Sequence, residues 1–407
     1  MTNDMSDSIS WKIRRLLHFA RRFSYEPKPA LYDLARYLFL KLSPSVQLQL
    51  KAFFKWEPQP QTYHMISKQP PDLVADITNR FHVSETFVEL YRKQGHGPID
   101  WSSSNWGDFF ENLPPLQKLS VPFAMSTVIR GHSMLSLLEK QSCIHKKNRY
   151  LDVGTGYGGF LRAAKEIGFK AVMGIELQPD LVALARANID DLQGAEVLTD
   201  DFLTGDFSGI EKFDLITCND VIEHVDDPKL AIQRMSRLVN ENGCVCFEVP
   251  NKDAIPFVKS DGHFLIFGIT QLSKNDAAEY YSAYTGADKS VYFFEMGEMY
   301  ELEWYFKELI KNGMSAFIAD THSLGDMEDV SHLLKDLKQA YKEWEMETKP
   351  KLDRVLAQQI ISSIEKYIKD LEHDFSNLGT DVSKIKFKNK YLRSFWTIIA
   401  TRNSTEL

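Results

Sequence analysis

The sequence predicts an α/β protein built around a mostly parallel β-sheet with helices on both faces. Between residues 149 and 249, short apolar segments alternate with amphipathic helical segments, which is typical of βαβ units. The first of these segments runs directly into a glycine-rich turn, and an acidic residue closes the second. A glycine-rich turn between a strand and a helix is typical of nucleotide-binding sheets.

The strands are predicted from short runs of apolar and β-branched residues. They are residues 149–153, 171–176, 195–199, 213–218, 244–249, 315–319 and 394–400. Helices are predicted at 159–167, 179–188 and 299–311, where apolar residues recur at helical spacing. Together these elements describe a Rossmann-like sheet of seven strands.

The segments outside the sheet are expected to be helical. Residues 1–115 are predicted as a mainly helical N-terminal module, and 116–325 as the core that carries the sheet. The core contains an aromatic insert at about 261–297, whose tyrosines could line an acceptor pocket or fill a small core of their own. Residues 326–380 form a helical insertion that is expected to pack on the sheet or pair across a homo-oligomer. Residues 381–407 are expected to contain the final strand or strands of the core sheet.

The composition indicates an acidic, folded protein. The 407 residues include 48 Lys and Arg against 56 Asp and Glu, a net charge of −8. A negative chain disfavours nucleic acid as a partner. No apolar run reaches the roughly 18–20 residues of a transmembrane segment, and no secretory signal is recognisable, so a cytoplasmic location is expected.

Two smaller features concern membranes and metals. Residues 11–23 combine an apolar stripe with arginines, so this helix either packs on the protein or makes peripheral contact with an anionic membrane. The four cysteines contain no C-x-x-C pair. The sequence therefore predicts neither a disulfide framework nor a metal site.

The turn after the first strand carries the central motif, DVGTGYGG at residues 152–159. Glycines let the backbone approach a ligand closely. Glu176 closes the next strand, where an acid can bind both hydroxyls of a ribose. These features alone fit two cofactor classes, the dinucleotides and S-adenosylmethionine (SAM), because the glycines satisfy both G-x-G-x-x-G and G-x-G-x-G. An acid at Asp152 favours SAM, since dehydrogenase strands are usually apolar at that position.

With the motifs that follow, the chain resembles the class I SAM-dependent methyltransferases, most closely the broad group that acts on small molecules, quinones and glycans. The matching segments are LDVGTGYGG (151–159), GIEL (174–177), DDF (200–202), FDLITCNDVIEHVDDP (213–228), EVPN (248–251) and GHF (262–264). Each motif is moderately specific, and their order and spacing together make the resemblance strong.

The resemblance implies SAM as the cofactor and a set of residues that bind it. It places the glycine turn along the methionine half, Glu176 on the ribose hydroxyls and Leu177 against the adenine. It places Asp201, with Asp200 as a rival, at the adenine amino group. The full implied set is Asp152, Gly154, Thr155, Gly156, Gly158, Glu176, Leu177, Asp200, Asp201, Phe202, Asn219 and Asp220.

The expected reaction is methyl transfer to a hydroxyl of a small molecule or sugar. Transfer from a sulfonium is an in-line displacement, so the protein mainly aligns the acceptor, and a hydroxyl also benefits from a base. His263, after the fifth strand, and His224, after the fourth, are the candidate catalytic residues. His224 could equally pack below the site. The alternatives are N- or C-methyl transfer to a small molecule, and a non-catalytic SAM-binding interaction protein.

Overall fold

The predicted seven-stranded sheet is confirmed by the computed structural model, which describes residues 71–95, 99–114, 117–319 and 330–402. The strands are β1 (Arg149–Val153), β2 (Ala171–Glu176), β3 (Ala195–Thr199), β4 (Phe213–Asn219), β5 (Val239–Pro250), β6 (Ser315–Ile318) and β7 (Phe395–Thr401). Their order in the sheet is β3-β2-β1-β4-β5-β7-β6. Strands β1 to β5 pair in parallel, and β7 is antiparallel to both of its neighbours.

The described residues also contain fifteen α-helices. They are α1 (Pro71–Phe81), α2 (Glu85–Lys93), α3 (Trp106–Asn112), α4 (Gln117–Met125), α5 (Thr127–Lys140), α6 (Gly159–Glu166), α7 (Pro179–Asn188), α8 (Pro228–Leu238), α9 (Ile255–Lys259), α10 (Lys274–Thr285), α11 (Lys289–Glu295), α12 (Leu302–Lys311), α13 (Val330–Glu347), α14 (Arg354–Ser376) and α15 (Asp381–Phe387). None of the described helices is long and apolar enough to cross a membrane.

The two faces of the sheet are covered by different helices, which explains why its central strands are apolar on both sides. One face packs against α5, α6 and α7 in a core that contains Tyr150, Leu161 and Leu184. The other packs against α8 and α12 in a core that contains Ile232 and Leu309. Strand β5 begins at Val239, five residues before the predicted start at residue 244. The prediction missed these residues because the stretch before Cys244 is polar and lacks the apolar pattern of a strand.

The described part of the N-terminal region docks on α7. Ser84 caps α2, its hydroxyl accepting from the backbone N–H of Phe87 at 3.0 Å. The backbone N–H of Ser84 donates to Oδ1 of Asn188 at 3.1 Å. Phe87 and Tyr91 lie in the same apolar core as β1. Residues 71–93 therefore share a core with the sheet, while the predicted boundary at 115 stays a prediction and residues 11–23 lie outside the described residues.

The aromatic insert and the helical insertion pack on each other. Tyr280 of α10 and Trp344 of α13 are both buried, and the indole Nε1–H donates to the tyrosine hydroxyl at 2.6 Å. Ile360 and Ile364 of α14 belong to the same apolar cluster. The insertion thus covers the insert rather than the sheet, and the buried rings favour the interpretation of the insert as a core.

Candidate active site

The glycine turn after β1 is fixed by the end of β2. The backbone N–H groups of Gly154 and Thr155 both donate to the carbonyl of Ile175, at 2.8 and 3.1 Å. Gly158, at φ +73°, lies where a Cβ would approach the carbonyl oxygen of Ala185 to 2.8 Å, so only glycine fits. A Cβ on Gly156, at φ +52°, would meet nothing within 4 Å. The turn is therefore closed toward the core and open beside Gly156.

Glu176 lies at the mouth of this turn. Its carboxylate accepts from the backbone N–H of Gly156 at 3.0 Å and from that of Gln178 at 3.0 Å. The residue is 8% exposed, whereas the side chain of the adjacent Leu177 is exposed. Each carboxylate oxygen keeps a further lone pair for a ligand hydroxyl. An apolar surface and an acceptor of hydrogen bonds therefore stand side by side at the end of β2.

Asp152 lies behind the turn and is bonded on both oxygens. It accepts from the hydroxyl of Thr155 at 2.9 Å and from that of Thr217 in β4 at 2.6 Å. Burial raises the pKa of Asp152 to about 6. These contacts fit a structural acceptor that holds β1, β4 and the turn together. Thr217 was missed in the sequence because its partner lies 65 residues away.

The loop after β3 carries Asp200, Asp201 and Phe202. Asp201 accepts from the backbone N–H of Leu203 at 2.8 Å, and Asp200 accepts from the N–H of Asp201 at 2.8 Å. Arg234 of α8 donates to the carbonyl of Phe202 at 2.9 Å and so holds the loop against that helix. Both carboxylates hold the local backbone, so the contacts do not choose between them as adenine partners.

Asn219 and Asp220 end β4. The side-chain oxygen and nitrogen of Asn219 are both buried, and neither has a hydrogen-bond partner among the described residues. An unpaired buried polar atom costs about 1–3 kcal/mol. Asp220 adopts the left-handed region at φ +54°, and its N–H donates to the carbonyl of Glu248 at 3.2 Å. The end of β4 therefore has hydrogen-bonding capacity that the described residues do not use.

The two candidate catalytic histidines come together although they are far apart in the chain. Their ring centroids are 5.0 Å apart in an edge-to-face arrangement. Nδ1 of His224 lies 2.7 Å from the carbonyl oxygen of Glu295. Burial lowers the pKa of His263 well below its usual range, and the nearby His224 lowers it further. At neutral pH, His263 therefore presents an uncharged imidazole.

Asp261 organises the loop that carries His263. Its carboxylate accepts from the backbone N–H groups of His263, Phe264 and Ile266, at 2.8, 2.7 and 2.6 Å. Burial raises the pKa of Asp261 to about 6. Asp261 thus holds the backbone of the loop rather than the imidazole ring.

Glu223 joins this cluster and was missed as a site residue in the sequence. It is 2% exposed, and its Oε1 lies 3.8 Å from Nε2 of His224. The signal that could have found it is an acid directly beside a candidate histidine. Glu223, His224 and His263 form what is called below the histidine cluster.

The comparison with known families agrees with the fold. Residues 129–289 match the family model described as "Methyltransferase domain". The glycine turn, Glu176 at the end of β2 and strands β1 to β5 all lie within this segment. Residues 129–289 are therefore similar to methyltransferase domains, in agreement with the resemblance that the sequence motifs predict.

Individual relatives cover only part of the chain. A ubiquinone biosynthesis O-methyltransferase of Glaesserella parasuis is 31% identical over 111 residues, which are 26% of this chain and 47% of the relative. A protein of the same name from Coxiella burnetii is 26% identical over 155 residues, 36% of this chain and 62% of the relative. The chain therefore spans about half the length of the curated relatives it matches.

A solved structure of SAM-bound CalS10, an amino pentose methyltransferase from Micromonospora echinaspora, is also similar. It is 26% identical and covers 29% of this chain and 50% of its own, with a TM-score of 0.25.

Proposed function

We propose that this protein transfers the methyl group of SAM to a hydroxyl of a small molecule or sugar. The observation that carries the proposal is the contact between the Glu176 carboxylate and the N–H of Gly156 at the mouth of the open glycine turn. In support of the proposal, a carboxylate that can accept from a ribose hydroxyl lies beside Gly156, where a Cβ would meet nothing within 4 Å. The names of the two curated relatives support an oxygen acceptor.

The residues of the sheet edge fit SAM. The space beside Gly156 would take the ligand, and the paired acceptor and donor of Asn219 suit its amino-acid end, which carries both an ammonium and a carboxylate. Leu177 offers an exposed apolar surface for the base. When bound, SAM supplies an electrophilic methyl group on a sulfonium. Asp152, Thr155 and Gly158 would act by shaping the turn.

The acceptor side of the proposal rests on His224 and His263. An uncharged His263 can accept a proton from a hydroxyl or hold the acceptor by a hydrogen bond, and either role suits an oxygen acceptor more than an amine. The aromatic insert contains α10 and α11 and lies beside the histidine cluster. The carbonyl oxygen of Glu295, the last residue of α11, is 2.7 Å from Nδ1 of His224. The proposal includes a sugar or a glycan as the molecule that carries the acceptor hydroxyl. It also includes a homo-oligomeric state of the protein.

The test is transfer of labelled methyl from SAM into a metabolite and glycan extract, with the product identified by mass spectrometry. We expect one labelled O-methyl ether, and His263→Ala should bind SAM normally while losing turnover. A labelled N- or C-methyl product would show that the acceptor atom is nitrogen or carbon and would contradict the proposed hydroxyl acceptor. SAM binding with no labelled product under any condition would favour the non-catalytic SAM-binding protein.

A further inference from the structure

We propose that Glu248 binds the ammonium group at the amino-acid end of SAM, beside the amide of Asn219. Glu248 lies near the carboxyl end of β5 and is not among the residues that the resemblance assigns to the cofactor. The inference rests on the proposed function, because it concerns the same ligand. It goes further by assigning a charged group of that ligand to a carboxylate of this chain.

A row of polar side chains crosses the rim of the sheet. In the register of the strands, Asn219 of β4 lies beside Glu248 of β5, and Glu248 lies beside Thr397 of β7. Side chains at paired positions of neighbouring strands project from the same face of a sheet. In agreement, the hydroxyl of Thr397 donates to Oε2 of Glu248 at 3.0 Å. The row lies at the carboxyl ends of β4 and β5, the edge where parallel sheets bind ligands.

This row has hydrogen-bonding capacity for a ligand. A carboxylate has about four acceptor positions, and the hydroxyl of Thr397 occupies one of them on Glu248. Glu248 is partly exposed, so a ligand can reach it. Both side-chain polar atoms of Asn219 are buried without a partner among the described residues. An ammonium group, which has three N–H donors, would donate to the carboxylate of Glu248 and to Oδ1 of Asn219.

The charge of Glu248 favours an ammonium over a neutral group. Burial raises the pKa of Glu248, whereas the hydrogen bond from Thr397 and the positive charge of Arg130 oppose the rise. Because the pKa stays raised in spite of Arg130, a further cation in contact with the carboxylate would stabilise its ionised form. A hydroxyl of the acceptor could bond the same oxygens but would supply no compensating charge.

The span from Glu176 to Glu248 fits the length of the ligand. Glu176 ends β2, and β5 lies three strands away in the order β2-β1-β4-β5. Neighbouring strands are about 4.8 Å apart, so β2 and β5 are about 14 Å apart. By the register of the strands, the two acids project from the same face of the sheet. SAM, extended from its ribose hydroxyls through the sulfonium to the ammonium and with a hydrogen bond at each end, covers this distance.

Contacts at both ends of the ligand would orient its reactive centre. With the ribose at Glu176 and the ammonium at Glu248, the sulfonium lies between two fixed points above β1 and β4. The direction of the bond from sulfur to the methyl group is then restricted, which is the main contribution that a protein makes to an in-line displacement. Glu248 thus binds the cofactor and positions the methyl group, and it takes no part in proton transfer from the acceptor.

The test is calorimetry of the full-length protein with S-adenosylhomocysteine and with 5′-methylthioadenosine. Both ligands contain the nucleoside and a thioether, but only S-adenosylhomocysteine carries the amino-acid end. Compared with the parent, Glu248→Gln should bind S-adenosylhomocysteine about 10- to 100-fold more weakly and 5′-methylthioadenosine equally well, because only the former loses a bond between two charged groups. The control is Glu241→Gln, the same substitution at an exposed position of β5, which should bind both ligands as the parent does.

The inference is overturned if folded Glu248→Gln binds S-adenosylhomocysteine as tightly as the parent does, or if its affinity for the two ligands falls equally. Normal binding of both ligands with loss of methyl transfer would place Glu248 on the acceptor side and would also overturn it. A parent protein that binds neither ligand would instead contradict the proposed function, on which the inference rests. Should Glu248→Gln fail to fold, Glu248→Asp, which keeps the charge on a shorter side chain, decides the question by the same comparison.

Discussion

The carboxylate of Glu176 serves the protein and the proposed ligand at once. It accepts from the backbone on both sides, at Gly156 and Gln178, and so fixes the turn before any ligand arrives. An acceptor that is already oriented loses little freedom when a ligand binds. The affinity for SAM should therefore depend strongly on this one side chain.

Replacing Glu176 by Gln should weaken binding of S-adenosylhomocysteine by about 10- to 100-fold, because hydrogen bonds to a charged acceptor contribute about 1.5–3 kcal/mol. Calorimetry measures the effect. Glu196→Gln, the same substitution at an exposed position of β3, is the matched control and should bind as the parent does. Equal affinities of the two variants would contradict the role of Glu176.

The buried Asp152 makes stability depend on pH. Burial raises its pKa in the folded protein to about 6, above the value of about 3.9 in an unfolded chain. The folded state then binds this proton more tightly, so the group lowers stability as pH rises from about 4 to about 6, and the loss stays constant above that.

Asp152→Asn removes this loss, and the amide can still bond the hydroxyls of Thr155 and Thr217. The free energy of unfolding of the variant, relative to the parent, should rise by about 2 kcal/mol between pH 4.5 and pH 7.5. Urea denaturation at both pH values checks this. Asp190→Asn, at an exposed position, should show no such trend, and a flat difference for Asp152→Asn would disprove the assignment.

At the scale of elements, α14 holds the aromatic insert beside the sheet. A Cβ on Gly268 would lie 2.8 Å from Cδ1 of Ile364, which shows how closely the helix approaches the loop after α9. The hydroxyl of Tyr367, on the same helix, donates to the carbonyl of Asp253 at 2.6 Å. The helical insertion is therefore the support of the insert and, through it, of the loop that carries His263.

Ile364→Ala should cost about 2–5 kcal/mol of stability, since it leaves a cavity at a fully buried position. Hydrogen exchange should accelerate in α10 and α14 more than in the strands. Val355→Ala on the same helix is the control, because Val355 is 67% exposed and should change stability by about 0.5 kcal/mol or less. Unchanged exchange in α10 would show that the insert does not depend on this contact.

At the scale of the whole molecule, the proposed ligand site lies at the edge of a sheet that belongs to the central core. The ends of β1, β2 and β4 all contribute to it, and the described N-terminal helices share the core behind it. A ligand that binds there binds the folded state alone. Its affinity should appear directly in the stability of the protein.

S-adenosylhomocysteine at 100 times its dissociation constant should raise the free energy of unfolding by about 2.7 kcal/mol. Thermal or urea denaturation with and without the ligand measures the change. A dinucleotide such as NAD at the same concentration serves as the control and should produce no shift. Stabilisation by NAD alone would overturn the assignment of the cofactor.

The sequence predicted the sheet well because strands buried on both faces are uninterrupted apolar runs. It could not predict the packing of α13 and α14, since an apolar stripe shows that a face is buried but not against what. It proposed His224 and His263 separately and omitted Glu223, because their proximity depends on contacts between distant segments. The roles of the cofactor-binding residues remain predictions that rest on the resemblance.

The antiparallel strand β7 lies between β5 and β6, although both are synthesised long before it. Until β7 arrives on the nascent chain, β5 presents an unpaired apolar edge and β6 has no neighbour in the sheet. Such edges attract other strands. Ribosome-bound intermediates that end before Phe395 should therefore be the stage at which this protein most needs a chaperone.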